Sequence, residues 1–301
     1  MDRPRCFVLT GASGWFGRTA LWEYEQLHGP VALRRDVLAC ASTSKQIDIG
    51  SPYGPITAVD LDSLDSLAGA SGLIHLAFLT RDRLADYGVE SYIKQNRAIT
   101  ARVADFIHRN PGMPILTTSS GAAALLDHDE VEVTSNPYSV LKHEEEELWR
   151  SSGEEGRLAV VFRVYAAIGR FIKDPKVFAL SDFLCRALAG ERIEIRSERP
   201  VIRSYVHVGT MMRLFWAMLD QPCCHGFRQV DAANQTLSLV ELAQTITALW
   251  SLPDPIIRID SSLPADDYRG DSGLFRQLLR EYAIELPELA EQLQETAQHL
   301  R

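Results

Sequence analysis

The stretch Thr10-Gly11-Ala12-Ser13-Gly14-Trp15-Phe16-Gly17 constrains this chain more than any other. It follows the apolar run Cys6-Phe7-Val8-Leu9, which reads as a buried strand, and leads into Arg18 to Glu25, which reads as a helix. Glycines at such a turn allow backbone angles closed to other residues. They also let a phosphate approach the N–H groups at the positive end of the helix. The spacing is G-x-x-G-x-x-G rather than G-x-G-x-x-G. Alone, the pattern is equally at home in a plain glycine turn.

Its neighbours narrow the choice. Val37–Ala41, Ile56–Val59, Leu73–Ala77, Pro114–Thr118 and Leu158–Phe162 read as further strands. Long helical patterns over Val89–Asn110 and Tyr138–Arg150 alternate with them. Near-continuous apolar strands alternating with helices predict an α/β fold, a Rossmann-type doubly wound parallel sheet covered on both faces. Ligands in that architecture sit at the carboxyl ends of the strands, here Gly11, Ser42, Asp60, Ala77, Ser119, Ser120 and Val164.

After Gly169 the segments shorten. Helices are expected at Val177–Ala189, Met211–Leu219, Leu239–Trp250, Asp271–Tyr282 and Pro287–His299, with short strands at Arg192–Ile195 and Arg203–His207. The division expected is a dinucleotide-binding domain over residues 1–170, joined by elements of 203–230, and a smaller substrate-binding domain over 171–301.

Composition excludes several classes. An apolar fraction of 46% and a charged fraction of 24% suit a soluble globular protein, and no apolar run is long enough for a membrane span. A net charge of −9 argues against nucleic acid as partner. Cys6, Cys40 and Cys185 lie in apolar runs and are expected in the core. Cys223 and Cys224 are vicinal and lack metal or redox spacing. No disulfide framework is implied. The first strand starts within a few residues of Met1, leaving no room for a leader, so a cytoplasmic setting is expected. The histidines show no metal-ligand spacing, and His75 and His207 read as packed. The acidic run Glu144–Glu147 reads as a solvated helix face.

The second constellation is Asn136-Pro137-Tyr138-Ser139-Val140-Leu141-Lys142. Residues four apart share a helix face, so Tyr138 and Lys142 project together. A phenol ionises near ~10 and is a poor base at neutral pH. A nearby ammonium favours the phenolate, giving a group suited to proton transfer.

In order along the chain come the glycine turn, Asp60-Leu61, His75-Leu76-Ala77, Asn96, Thr118-Ser119-Ser120, Tyr138 to Lys142, and Arg163 to Gly169. This order resembles the extended short-chain dehydrogenase/reductase superfamily, in its NAD-dependent epimerase/dehydratase branch acting on nucleotide sugars. Weaker likeness continues through Arg203–Val208 and Tyr268–Asp271. The resemblance implies an enzyme in which Gly11, Ser13, Gly14, Trp15, Phe16 and Gly17 hold the cofactor pyrophosphate. It places Asp60 and Leu61 beside the adenine, with Leu76 and Ala77 lining the path to the nicotinamide ribose. Asn96 braces the neighbouring helix and strand or contacts the cofactor. Lys142 binds the ribose hydroxyls and tunes Tyr138, which exchanges a proton with the substrate oxygen. Ser120 bonds the same oxygen, with Ser119 the rival one residue away. Arg203 matches an arginine that binds the substrate diphosphate, and a surface salt bridge is its other reading. The resemblance also implies a homodimer formed through the long helices.

Departures from the family pattern refine the expectation. The sugar dehydratases carry an Asp-Glu pair after the catalytic hydroxyl residue, where this chain has Gly121-Ala122. Ala166 and Arg170 replace an asparagine and a proline of the substrate segment, and Gly209-Thr210 stand where an acidic pair is common. The second strand ends in Ala41-Ser42-Thr43-Ser44-Lys45, without the acid that holds the NAD ribose. Hydroxyls and a lysine favour NADP over NAD there, with Asp36 and Asp48 the nearest acids should the register differ. The expectation is an NAD(P)-dependent reductase of a 4-keto-sugar nucleotide. Alternatives are a 4-epimerase with tightly held NAD, a reductase of a non-nucleotide carbonyl, and a dinucleotide-sensing regulator.

Overall fold

The computed structural model describes residues 5–127, 131–172, 178–222 and 225–300. Cys223, Cys224 and the expected helix start at Val177 lie outside the described residues. The chain splits into two compact units, one of Met1–Arg163 with Met212–Val230, the other of Val164–Met211 with Asp231–Arg301.

The first unit is organised by β1 (Phe7–Thr10). The helix α1 (Trp15–Asp36) comes next, broken at Gly29, where φ is 83° and Pro30 starts the second segment. Then come β2 (Val37–Ala41), β3 (Lys45–Ile47) and β4 (Ile56–Asp60). A 3-10 turn at Leu61–Ser66 leads to β5 (Gly72–His75), the short helix α2 (Leu84–Tyr87) and α3 (Val89–Arg109). After β6 (Ile115–Ser120) stand α4 (Gly121–Ala124), α5 (Pro137–Glu154) and β7 (Leu158–Val164).

The eight-stranded sheet has the order β11-β7-β6-β5-β1-β2-β4-β3, where β11 spans Gly226–Ala232. Pairs β5–β1, β1–β2, β2–β4 and β5–β6 are parallel. The expected parallel sheet is therefore present, with two strands beyond the six read from the sequence: β11 beside β7, and β3, which runs antiparallel to β4 at the edge. Its sequence, Lys-Gln-Ile, has one buried residue, too little apolar pattern to announce a strand.

Alternation along each strand decides which helices it touches. Val8, Leu73, Ile115 and Val161 pack with Val103 and Phe106 of α3 and Trp149 of α5. Phe7 and Phe162 face the other way. Phe7 meets Tyr24 of α1 and Trp216, and Phe162 meets Phe215. Trp216 and Phe215 belong to α7 (Val208–Asp220), whose indole donates to Ala20 O at 2.8 Å. Both faces of the sheet are thus covered by helices that its own pattern selects.

The second unit contains β8 (Ala166–Ile168), α6 (Ala179–Leu188), β9 (Glu194–Ile195), β10 (Val201–His207), β12 (Gln235–Ser238) and α8 (Leu239–Leu249). It ends with β13 (Ile256–Ile257), β14 (Asp266–Tyr268), α9 (Gly273–Glu281) and α10 (Leu289–Gln298). Around β10 lie β12, β14 and β8, while β9 pairs with β13. Leu180, Phe183 and Leu184 of α6, Leu242 and Ile246 of α8 and Leu293 of α10 close its core. Of the cysteines expected in cores, Cys40 is buried, whereas Cys6 and Cys185 are only half-buried. Among the described residues no helix is long and apolar enough to cross a membrane.

The helix α5 reaches the sheet where Gly153 meets β11. A Cβ on Gly153 would lie 2.7 Å from Phe227 N and 2.8 Å from its Cα. Gly153→Ala is expected to lower stability by about 1–3 kcal/mol, read as a lower midpoint in urea denaturation.

Candidate active site

Five parallel strands, β1, β2, β4, β5 and β6, bring the expected site residues to their carboxyl ends. At the end of β1, Gly11 takes φ 69°, and a Cβ there would lie 2.5 Å from Leu76 C and 2.7 Å from Ala77 N. A Cβ on Gly17 would stand 2.2 Å from Gly11 O. Both glycines are thus required by backbone packing. Gly14 is the N-cap of α1 and contributes no side-chain acceptor to the first turn of the helix. With no side chain on the N-cap residue and no acid in the first turn, that end of the helix suits an anion from outside the chain. Trp15 and Phe16 stack edge to face at 5.4 Å, and the buried Trp15 Nε1 has no partner among the described residues.

The β2 end carries Ser42, Thr43 and Lys45, all exposed. Asp36 lies at the opposite end of β2, buried and bound to Arg35 and Tyr24. Asp48 comes directly after β3, caps Gly50 N with its carboxylate and accepts Arg18 Nε on its carbonyl at 2.9 Å. Asp60 ends β4; its carboxylate accepts from Asp62 N at 2.9 Å and its own N–H donates to Ser44 Oγ. Leu61 is buried behind it. Asn96, fully buried on α3, accepts from Leu79 N at 2.8 Å and so ties that helix to the segment after β5, the bracing reading.

At the β6 end Ser120 caps α4, accepting from Ala122 N at 3.2 Å. Its hydroxyl is also one of the groups that act on the Tyr138 phenol, in the direction that favours the phenolate. Ser119, next along the strand, points to the other face. Its buried hydroxyl has no partner among the described residues. Of the two hydroxyls, Ser120 is the one that bears on the Tyr138 phenol. Burial pushes the Tyr138 phenol above its ordinary value, Ser120 draws it down, and the Glu145 charge raises it again. The lowering expected from Lys142 is not among these leading effects.

The reason is visible in the surroundings of Lys142. Its ammonium donates to Glu145 Oε2 at 2.9 Å and to Thr118 O at 3.1 Å. The Phe78 ring covers it with its centroid 3.7 Å from Nζ, and that ring also meets Tyr138 at 5.9 Å. Glu145 is fully engaged: Oε1 accepts from Thr100 Oγ1 at 2.9 Å and lies 3.2 Å from His75 Nε2. Thr10 Oγ1 accepts from Leu76 N and Ala77 N, so its hydrogen points to His75 Nδ1 at 2.7 Å. The histidine hydrogen then sits on Nε2 and donates to Glu145. Burial opposes ionisation of Glu145, but Lys142 and His75 outweigh it and hold the carboxyl at about 2.

The acidic run Glu144–Glu147 is therefore not a solvated face throughout. Glu145 and Glu146 are 2% and 1% exposed. Glu146 binds Arg163 of β7 at 2.6 Å, and Arg163 also binds Asp127. Asp127, His143 and Glu146 gather within 4.8 Å of one another, and the Arg163 guanidinium supplies the positive charge among them. Sequence reasoning missed Glu145, Thr100 and Phe78. The spacing offered a signal for the first, since Tyr138, Lys142 and Glu145 fall at i, i+4 and i+7 on one helix face.

In the second unit Arg203 lies on β10, with Nη2 on the Asp266 carboxylate at 2.7 Å and Nη1 on the Asp266 carbonyl at 2.8 Å. His207 is fully buried, its Nδ1 accepting from Thr210 N and its Nε2 beside Glu295 at 3.1 Å. Both histidines singled out in the sequence are packed groups.

A carboxyl held at about 2 in the folded chain contributes stability above its unfolded value near ~4.3, and that contribution is lost as pH falls toward 2. Chemical denaturation across this range is expected to show a steep loss for the wild type. Glu145→Gln is expected to flatten the curve by on the order of 1–3 kcal/mol.

Comparisons with known proteins agree with this fold. A profile of the NAD dependent epimerase/dehydratase family matches residues 7–225. No curated protein matches the sequence. MoeE5 in complex with UDP-glucose and NAD superposes with a TM-score of 0.68 at 20% identity, covering 98% of each chain. UDP-N-acetylglucosamine 4-epimerase from Methanobrevibacter ruminantium M1 gives 0.71 at 18% identity, covering 99% of this chain and 98% of that one. dTDP-glucose 4,6-dehydratase from Bacillus anthracis, in complex with NAD, gives 0.69 at 14% identity, covering 98% and 96%. At these identities the structures speak for the fold alone; the profile spans well over half of the sequence, and the chain belongs to the NAD dependent epimerase/dehydratase family.

Proposed function

We propose that this protein is a nicotinamide-dependent oxidoreductase of nucleotide sugars, and that its reaction is reduction of a 4-keto-sugar nucleotide. The observation that carries the reading is the placement of Ser120 at the end of β6 and of Tyr138 and Lys142 one turn apart on α5, with the Phe78 ring against both of the latter. The glycine turn stands at the same end of the parallel strands, and its glycine N-cap, acid-free first turn and glycine-lined backbone fit a diphosphate. When bound, the dinucleotide supplies a hydride to the carbonyl carbon. Ser120 and Tyr138 bond the carbonyl oxygen, and Tyr138 gives it a proton. The phenolate left on Tyr138 recovers a proton from solvent.

The residues after Ser120 favour reduction over dehydration. Elimination of water needs a further acid and base beside the sugar. Gly121, Ala122 and Ala123 have no ionisable group, and Asp127 is bound to Arg163. The exposed Ser42, Thr43 and Lys45 support NADP as the cofactor, because the residues that end β2 bring no carboxylate of their own to repel a 2′-phosphate. The solved NAD complexes and the family name support NAD. Epimerisation is the second reading, favoured by the epimerase among the structural neighbours; the same Ser120, Tyr138 and Lys142 serve it. Binding of a nucleotide sugar and assembly as a homodimer are proposed on the family resemblance.

Reduction predicts stoichiometric loss of NADPH or NADH absorbance with a 4-keto-sugar nucleotide. Interconversion of two sugar nucleotides without net cofactor change would sink it in favour of epimerisation. Tyr138→Phe is expected to cut turnover by roughly 10²–10⁴-fold, with dinucleotide affinity in fluorescence titration unchanged. In the same titration NADPH is expected to bind more tightly than NADH, and Lys45→Ala to reduce that preference.

A further inference from the structure

We propose that the buried carboxylate of Glu145 is the fixed counter-ion of Lys142 and acts as a positioning residue that keeps Tyr138 in its phenol form, so that the site is set to donate a proton to a carbonyl oxygen. The proposal deepens the reductase reading and rests on it for the meaning of the proton, though not for the electrostatics.

Three side chains share one face of α5. Tyr138 and Glu145 are seven residues apart, two turns or about 10 Å along the axis, and Lys142 lies between them. A tyrosine beside a lone ammonium is drawn toward phenolate. Here the ammonium is not alone. Glu145 is 2.9 Å from Nζ, and both groups are buried, so they act on a distant group as a dipole of little net charge. Glu145 has no route to neutrality in the working range, because His75, Thr100 and Lys142 each stabilise its charged form.

The other groups around Tyr138 do not restore the balance. From β6, Ser120 offers a neutral hydroxyl. From the 3-10 turn at Arg81–Arg83 come Arg81 and Asp82, whose effects on the phenol oppose each other. From α3 comes the Tyr92 phenol, and from the segment after β5 the Phe78 ring. Around Glu145 stand His75 of β5 and Thr100 of α3, with Lys142 on its own helix. A protonated Tyr138 suits the direction in which a carbonyl carbon gains a hydride from a reduced nicotinamide and the carbonyl oxygen gains the tyrosine proton. The phenolate so formed takes a proton from water. In the reverse direction the same phenol must first lose its proton.

The test needs neither substrate nor cofactor. The protein is labelled with [13Cζ]tyrosine, and the Tyr138 resonance is assigned as the one missing in Tyr138→Phe. In the wild type this resonance is expected to stay at its phenol position through pH 10. In Glu145→Gln, where burial still raises the phenol, it is expected to move toward the phenolate position with a midpoint lower than the wild type's by roughly one unit, the order of a unit charge in a protein interior, in a titration carried upward until circular dichroism reports loss of fold. Glu145→Asp, which keeps the charge, is expected to titrate like the wild type. A wild-type Tyr138 already ionised at pH 9 would overturn the proposal, as would a Glu145→Gln resonance that tracks the wild type throughout. Glu145→Ala is made in parallel, so that loss of fold in one variant, seen by circular dichroism, leaves the other to decide. If the titrations come out as expected and neither dinucleotide binds the wild type, the reductase reading fails while the counter-ion role stands.

Discussion

The ion pair between Lys142 and Glu145 is the interaction on which the rest of the site depends. Both ends are buried, at 7% and 2% exposure, so desolvation opposes them. The pair survives because every charged atom is given partners: Thr118 O and the Phe78 ring for the ammonium, Thr100 and His75 for the carboxylate. Removing one member of such a pair typically costs about 3–5 kcal/mol, because the other charge is left alone. The cost of failure is also geometric. Through His75 the carboxylate is tied to Thr10, the last residue of β1 and the first of the glycine turn. One hydrogen-bonded chain thus joins α5, α3, β5 and β1, and fixes the helix bearing Tyr138 relative to the turn.

The same helix shows why part of this was hidden in the sequence. Consecutive helical residues point about 100° apart, so a run of four glutamates cannot share one environment. Glu144 and Glu147 reach the surface, where they meet Arg97 and Arg150. Glu145 turns to Lys142, and Glu146 to Arg163. Composition describes the run as solvated; spacing separates it. Tyr138 and Lys142 were legible because a motif fixes their register, and Glu145 lay three residues further on the same face. Thr100 and Phe78 had no such signal, since only the tertiary fold brings α3 and the segment after β5 to that point.

The fold was legible to a similar depth. Strands of the main sheet have enough alternating apolar residues to name both their existence and the helices they touch, as Phe7 and Val8 do on opposite faces. The glycines of the turn were read as room for a phosphate, but the structure gives Gly11 and Gly17 a prior task, since any Cβ there would collide with backbone. The short strands β3, β9, β13 and β14 have two or three residues each, and their pairing is set by distant segments rather than by their own pattern. The choice between Ser119 and Ser120 was a matter of one residue in register. On a strand that shift exchanges faces completely, so that Ser120 caps α4 and acts on the Tyr138 phenol while Ser119 stays buried without a partner among the described residues.

A tyrosine and a lysine one helical turn apart describe the shape of a proton-transfer site without describing its charge. Lysine contributes two separable things to such a site, a set of N–H donors and a positive field. Where the ammonium stands alone, both reach the phenol. Where a carboxylate is bound to it, the donors keep their geometry and the field is largely cancelled at the distance of the tyrosine. In this chain the phenol is raised by burial first and by the Glu145 and Asp82 charges besides, with Ser120 and Arg81 acting against them. A hydroxyl that holds its proton is an acid catalyst, and one that has lost it is a base. Two proteins with the same tyrosine, lysine and serine can therefore be set toward opposite halves of one hydride transfer by a residue that touches neither substrate nor tyrosine.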